Sequence, residues 1–126
     1  MIALTPQLRV WVAVAPADFR CGIDGLAQRV RQVLAADPMG GAVFVFRNRR
    51  GTAIKLLAYD GQGFWLCHKR LSQGHFRHWP TGQAGQTLAA HELAVLLAGG
   101  DWSVAAGAPV WRAVPEMGQV STRRPS

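Results

Sequence analysis

Three strand-like runs that follow one another through short turns constrain the fold of this chain more than any other feature. Residues 42–47 read AVFVFR, residues 52–59 read TAIKLLAY, and residues 62–71 form the third run. Strands joined by such short loops pair as antiparallel neighbours, because a parallel crossover needs about a dozen residues or more. Asp60-Gly61 is a tight-hairpin signal between the second and third runs. The middle of the chain therefore predicts an antiparallel β-meander.

The flanking segments add a strand and two helices to this prediction. Residues 9–15 (RVWVAVA) are rich in β-branched side chains and predict a strand. Apolar residues recur every three or four positions between residues 22 and 36 and again over 90–98, as in helices that bury one stripe. Residues 75–79 are predicted to add a short edge strand, and residues 81–86 a polar loop. The predicted fold is α+β: an antiparallel meander of four to five strands with two helices packed on one face.

The length of 126 residues suits one domain. We predict a single α+β domain over residues 1–106 and a flexible tail over residues 107–126, which have no periodic apolar pattern. No apolar run approaches the roughly 20 residues of a membrane span, and the first residues do not resemble a signal peptide. Cys21 and Cys67 match neither a disulfide framework nor a zinc pattern. We therefore expect a cytoplasmic protein with no membrane partner.

Charge is the main indication of function. The chain has 14 Lys and Arg against 7 Asp and Glu, a formal net charge of +7. Such an excess favours polyanionic partners, chiefly nucleic acid, and arginine, which supplies most of it, suits phosphate and base edges. The basic side chains contact phosphate and the aromatic ones stack on bases in the predicted interface. Its nucleic-acid-binding residues are Arg47, Arg49, Arg50, Lys55, Lys69, Arg70, Arg77, Trp65 and Trp79.

Hairpin geometry is predicted to gather most of these charges at one end of the meander. With a two-residue loop at Asp60-Gly61, Lys55 pairs with Leu66, and Lys69-Arg70 lie beside the turn at residues 47–50. Clustered like charges repel, so the cluster is destabilising unless an anion or an acidic partner offsets it. The alternative interpretation is a solvated sheet edge that is kept positive to prevent strand-to-strand aggregation.

Candidate catalytic residues are few. His68, His75 and His78 suggest a metal site or a ribonuclease acid–base pair, but His75-x-x-His78 lacks a third ligand at a defined spacing. Asp24 fits the start of a helix and Asp60 fits a turn. The chain has no phosphate-cradling glycine motif and no nucleophile elbow. We expect a protein that is not an enzyme, with no catalytic residue, no metal and no cofactor.

Four sequence blocks, spread over about residues 7–102, are specific as a set. They are Arg9-Val10-Trp11-Val12 with Asp18-Phe19-Arg20-Cys21-Gly22-Ile23-Asp24-Gly25-Leu26; Val43-Phe44-Val45-Phe46-Arg47-Asn48-Arg49-Arg50-Gly51; Ile54-Lys55-Leu56-Leu57 with Asp60-Gly61-Gln62-Gly63-Phe64, Lys69-Arg70-Leu71, Gly74-x-Phe76 and Trp79-Pro80; and Leu93-x-x-Leu96-Leu97-x-Gly99-x-Asp101-Trp102. Together they resemble the TnpB accessory proteins of the insertion-sequence family numbered sixty-six (a name shared with an unrelated RNA-guided nuclease). Cys21 stands where that family has a basic residue, and Ala89 where a Thr or Ser often caps the last helix.

The resemblance implies a role in transposition, in an element whose separate transposase cuts and joins the DNA, and it implies no catalytic residue. We expect an accessory factor that binds DNA, at the element ends, or the transposase–DNA complex through a basic sheet face. Its partners would include the transposase and other proteins of the same element. Two alternatives remain: a protein-interaction module that docks on the transposase without direct DNA contact, and a small ribonuclease that uses His68 or His75.

Overall fold

A five-stranded sheet with helices on both faces forms the centre of the fold. The computed structural model describes residues 8–106. The elements, in chain order, are β1 (Val10–Ala13), α1 (Ile23–Val33), β2 (Val43–Arg47), β3 (Ala53–Tyr59), β4 (Phe64–Arg70), β5 (Gly85–Leu88), α2 (Ala90–Leu97) and α3 (Trp102–Ala106). This content confirms the α+β class and the upper end of the predicted strand number. The strand order in the sheet is β4-β3-β2-β1-β5.

The sheet is mixed, whereas the sequence predicted a purely antiparallel one. The meander β2-β3-β4 is antiparallel as expected, but β1 runs parallel to β2, with Trp11 opposite Phe44. The connection between β1 and β2 contains α1, and a helical crossover is the usual way to bring the chain back beside a parallel neighbour. The error came from treating β1 as one more meander strand, although the connection that follows it is long enough to cross the sheet.

The second edge strand also differs from its prediction. β5 (Gly85–Leu88) begins at the end of the segment that the sequence predicted as a polar loop, residues 81–86, and it pairs antiparallel with β1. Only Leu88 of this strand is buried, because an edge strand needs few apolar side chains, and this makes it hard to recognise. Residues 75–79 form no strand. Their role is instead to bring Phe76, which is 5% exposed, into the core.

The two main helices pack on opposite faces of the sheet, so the prediction of helices on one face was wrong. α1 packs on the face that carries Phe44 and Phe46, and α2 packs on the face that carries Val43 and Val45. Successive side chains of a strand point to opposite faces, and all four of these β2 side chains are at most 1% exposed. An unbroken apolar run such as VFVF is typical of a strand that is covered on both sides.

The hairpin between β3 and β4 has a longer loop than predicted. The loop comprises residues 60–63, and Lys55 pairs with His68 rather than with Leu66. Gly61, at φ 98°, is the one loop residue with positive φ, whereas a type I′ turn needs positive φ at both central residues. The register is therefore shifted by two residues. A shift of two leaves every side chain on its predicted face, because the side-chain period of a strand is two.

Three further expectations concern the tail, a membrane span and the cysteines. The predicted tail, residues 107–126, lies outside the described residues. Within residues 8–106, no helix has both the length and the apolar character needed to cross a bilayer. Cys21 and Cys67 are both free thiols.

Candidate nucleic-acid interface

Most of the predicted basic residues meet at one end of the sheet in spite of the register shift. β2 ends there, β3 begins there, and β4 ends there: Arg47 and Lys69 both pair with Ile54, and Arg70 pairs with Ala53. We call this surface the basic end. It comprises Arg47, Arg49, Arg50, Lys69, Arg70 and Arg77.

The turn between β2 and β3 is organised from inside by Asn48. Its Oδ1 accepts hydrogen bonds from the backbone N–H groups of Thr52 (2.9 Å) and Ala53 (3.1 Å), and its Nδ2 donates to Thr52 Oγ1 (2.9 Å). Gly51 N donates to Asn48 O at 3.1 Å, and Gly51 has φ 70°, which favours glycine. Arg49-Arg50 occupy the centre of this turn, and both side chains are exposed. The turn therefore fixes the backbone of two exposed arginines without using their charge.

The segment after β4 closes on the same turn. Phe76 N donates to Gly51 O at 2.7 Å, and the buried Phe76 ring packs edge-on against Trp79, with the ring centroids 6.5 Å apart. Trp79 Nε1 donates to Ala13 O at 2.9 Å. These anchors fix the exposed Arg77, which lies between the two aromatic residues in the chain, at the basic end.

Arg47 and Trp79 form a unit within the basic end. The Arg47 guanidinium carbon lies 6.0 Å from the centroid of the Trp79 ring, a distance at which the cation is attracted to the ring. Arg47 Nη1 donates to Arg49 O at 3.4 Å. Trp79 is half-buried against the core and its N–H is already used. The ring that the sequence suggested for base stacking therefore has a structural role in this position.

Lys55 lies inside the fold rather than on its surface. Only 8% of the residue is exposed, and its Nζ donates to Phe19 O at 2.9 Å. The same nitrogen lies 4.9 Å from the centroid of the Phe19 ring. A buried ammonium needs such partners, because burial without them is costly. The position does not fit the predicted phosphate contact.

Trp65 is exposed but lies at the other end of β4. It pairs with Ala58, and 44% of the residue is exposed. Its Nε1 donates to Asp60 Oδ2 at 2.7 Å. The pKa of Asp60 is lowered because its carboxylate accepts hydrogen bonds from the Gln62 backbone first, and then from Trp65 and the Gly63 backbone. The structure does not bring Trp65 together with the basic end.

Lys69 and Arg70 reach the basic end from opposite faces of the sheet. Lys69 lies on the face covered by α2, and its Nζ donates to Leu97 O at the end of that helix, where a cation is favoured by the helix dipole. Arg70, one residue further on, lies on the face covered by α1 and is exposed. The predicted basic sheet face is therefore a basic sheet end, at which the two faces meet.

The loop before α1 also belongs to this surface, and sequence reasoning left it out. Ala17 N donates to Arg47 O at 2.8 Å, which brings Asp18 and Arg20 beside Arg49. Hydrogen bonds from Arg20, with a smaller effect from the charge of Arg49, lower the pKa of Asp18 to about 2. The family resemblance includes this loop, but no charge pattern set it apart. A cleft between the loop and the turn is lined by Pro16, Ala17, Asp18, Phe19, Arg20, Asn48 and Arg49.

No carboxylate of the described residues forms an ion pair with the basic end. The ion pairs found between residues 8 and 106 join Arg20 to Asp18 at 2.7 Å and His78 Nδ1 to Asp101 Oδ2 at 3.8 Å. In the same part of the chain, no group of three or more His, Cys, Asp and Glu residues could hold a metal ion. His68 packs edge-on against Phe19, with the ring centroids 5.7 Å apart.

These features define a small α+β domain with a positively charged surface at one end of its sheet. Residues 8–106 match the family described as IS66 Orf2 like protein, and the chain belongs to that family. This confirms the resemblance seen in the sequence, and it supports an accessory role in the transposition of an insertion sequence.

Two curated relatives come from Sinorhizobium fredii. The chain is 42% identical to Uncharacterized protein y4hO over 103 residues, which cover 81% of this chain and 89% of that protein. It is 38% identical to Uncharacterized protein y4jC over 112 residues, which cover 89% of this chain and 96% of that protein. No solved structure matches the chain.

Proposed function

We propose that this protein is a non-enzymatic transposition factor that binds the DNA backbone with its basic end and acts beside the transposase of its element. The observation that carries the proposal is the Asn48 turn, which holds Arg49-Arg50 exposed at the basic end. Within residues 8–106 no carboxylate pairs with either arginine. Exposed guanidinium groups without a carboxylate partner match phosphate oxygens, and they displace the counterions that surround DNA.

The residues that contact phosphate in this proposal are fewer than the sequence suggested. Arg49, Arg50, Arg70 and Arg77 are exposed, and Lys69 adds its charge although Leu97 O accepts one of its hydrogen bonds. Lys55, Trp65 and Trp79 are left out because of their positions. The contacts involve the sugar–phosphate backbone, so this part of the interface binds DNA with little dependence on sequence.

The test is a double variant at the basic end with a matched control elsewhere. Arg50→Ala with Arg70→Ala removes two exposed charges from the basic end. Arg9→Ala with Arg31→Ala removes two charges from other positions, Arg9 lying beside the opposite end of β2. Each lost phosphate contact should lower the slope of log affinity against log salt by about 0.9.

We therefore expect the Arg50/Arg70 variant to bind DNA weakly, with a salt slope lower by about two, and to abolish transposition in a cell assay. The control should retain most of the slope, and both variants should keep the circular dichroism spectrum of the parent. Normal DNA binding with loss of transposition would mean that the basic end docks on a protein partner. Survival of both activities would mean that the charges only protect a solvated sheet edge.

A further inference from the structure

The loop before α1 holds one arginine in a fixed orientation at the surface. Arg20 Nε donates to both Asp18 oxygens (3.0 and 3.1 Å), and Nη2 donates to Oδ2 at 2.7 Å. The Arg20 backbone N–H also donates to Asp18 Oδ1, at 2.9 Å. The Arg20 side chain is nevertheless 91% exposed. A guanidinium has five N–H donors, so both N–H groups of Nη1 and one of Nη2 have no partner within residues 8–106.

This loop is tied to the fold at several points. Its Ala17 N–H donates to Arg47 O, and the buried Lys55 donates to Phe19 O. Cys21 N donates to Asp18 O at 3.0 Å. An exposed ion pair such as Asp18–Arg20 contributes little to stability, so stabilisation of the fold does not explain why the Arg20 guanidinium is fixed so closely.

We infer that Arg20 reads a base: the free end of its guanidinium donates to O6 and N7 of a guanine in the major groove, while Asp18 is the positioning residue that orients it. The inference deepens the proposed function and rests on it, because the basic end must first bring the protein onto the duplex. Bidentate donation from arginine to these two guanine acceptors is the commonest specific contact between proteins and DNA.

The net charge of the Asp18–Arg20 pair indicates that Arg20 contacts a base rather than a further phosphate group. Arg20 and Asp18 together carry no net charge, because the pKa of Asp18 is about 2 and the carboxylate is ionised at neutral pH. A neutral pair gains little from counterion release, which is the main advantage of a phosphate contact. A neutral, oriented pair gains from directional hydrogen bonds to uncharged acceptors. Arg50, in the turn between β2 and β3, has the opposite character, with an exposed charge and no hydrogen bond that fixes its guanidinium among the described residues.

The experiment compares base preference with salt dependence. Duplexes preferred by the full chain are selected from a random pool, and each G·C pair of the preferred site is replaced in turn by A·T. For the parent protein we expect one position at which this replacement weakens binding by about 5- to 150-fold. Arg20→Ala should abolish this ratio and leave the salt slope unchanged. Arg20→Lys should not restore it, because lysine lacks the planar fork.

Two further variants serve as controls. Arg50→Ala should lower the salt slope by about 0.9 and keep the guanine preference. Asp18→Asn should reduce the preference and strengthen binding to random DNA, because it leaves the charge of Arg20 uncompensated. Circular dichroism of each variant checks that the fold is retained.

The outcomes separate this inference from the proposed function. Salt-dependent DNA binding by the parent protein without a guanine preference at any position would overturn the inference and leave the proposed function standing. A lower salt slope in Arg20→Ala, with the preference kept, would make Arg20 a phosphate contact. Absence of any DNA binding by the parent protein would overturn both.

Discussion

Replacement of Asn48 tests the most specific structural claim about the basic end, which is that one amide side chain builds the turn. Asn48→Ala removes two hydrogen bonds to backbone N–H groups and one to Thr52 Oγ1. Ala53 is 2% exposed, so its N–H has little access to water once its partner is lost. Neutral hydrogen bonds contribute about 1 kcal/mol each, and a buried donor left without a partner costs about 1–3 kcal/mol. We expect a loss of roughly 2–3 kcal/mol in the free energy of unfolding.

The assay is thermal unfolding followed by circular dichroism. A loss of this size should lower Tm by roughly 10 °C for a folded unit of about 100 residues. Asn48→Asp is the matched control, since its Oδ1 still accepts from Thr52 and Ala53 while the donor to Thr52 Oγ1 is lost. It should cost about 1 kcal/mol. If Asn48→Ala unfolds within 2 °C or so of the parent, the turn forms without this amide and the argument for a preorganised arginine pair fails.

Three further substitutions test other parts of the fold by the same unfolding assay. Ala89→Ser should raise stability by about 1 kcal/mol, because α2 has no side-chain cap at Ala89 while Glu92 already accepts from the Ala89 N–H at 2.7 Å; an unchanged Tm would contradict this. Lys55→Met should lower the free energy of unfolding by about 1–3 kcal/mol, because it leaves Phe19 O without its donor. A variant as stable as the parent, or more stable, would show that the desolvation penalty of the buried ammonium equals or exceeds the stabilisation from its hydrogen bonds. Gly61→Val should cost about 1–2 kcal/mol through its positive φ alone, with DNA binding unchanged; a parental Tm would mean that the loop relaxes.

The sequence was sufficient to predict the meander and the end at which its charges meet. The apolar runs of β2 and β3 and the turn signals between the strands identified the strand pairs correctly. The loop at residues 60–63 was taken as two residues long, because Asp60-Gly61 is a strong local signal and nothing nearby showed that Gln62 and Gly63 belong to the loop. The prediction of the basic end was correct in spite of this error. A shift of two residues in the pairing of β4 with β3 leaves Lys69 and Arg70 on the same faces and at the same end of the sheet.

The parallel pairing of β1 and the position of α1 depend on long-range packing that local patterns do not contain. The local sequence pattern of β1 is the same whether the neighbouring strand is parallel or antiparallel. The strongest indication that both faces of the sheet are covered was the VFVF run of β2, in which the side chains on both faces of the strand are apolar. A helix on each face follows from that run, because each apolar face of a strand must be buried. β5 (Gly85–Leu88) could not be recognised in the same way, since its one buried side chain gives no alternation.

The candidate site shows why basic residues of one cluster cannot be assigned one role from sequence. Lys55 and Arg70 lie on the same face of the sheet, but Lys55 is in the middle strand of the meander, under the loop before α1, and Arg70 is at the open edge. A long cationic side chain on a covered central strand needs acceptors inside the protein, whereas one on an edge strand can stay hydrated. Counting charges therefore overestimates the number of basic side chains that are available at the surface, and it also misses Arg20, whose charge is cancelled locally by Asp18. Where a carboxylate neutralises an exposed arginine without burying it, the free donors of the arginine, and not its charge, indicate what it binds.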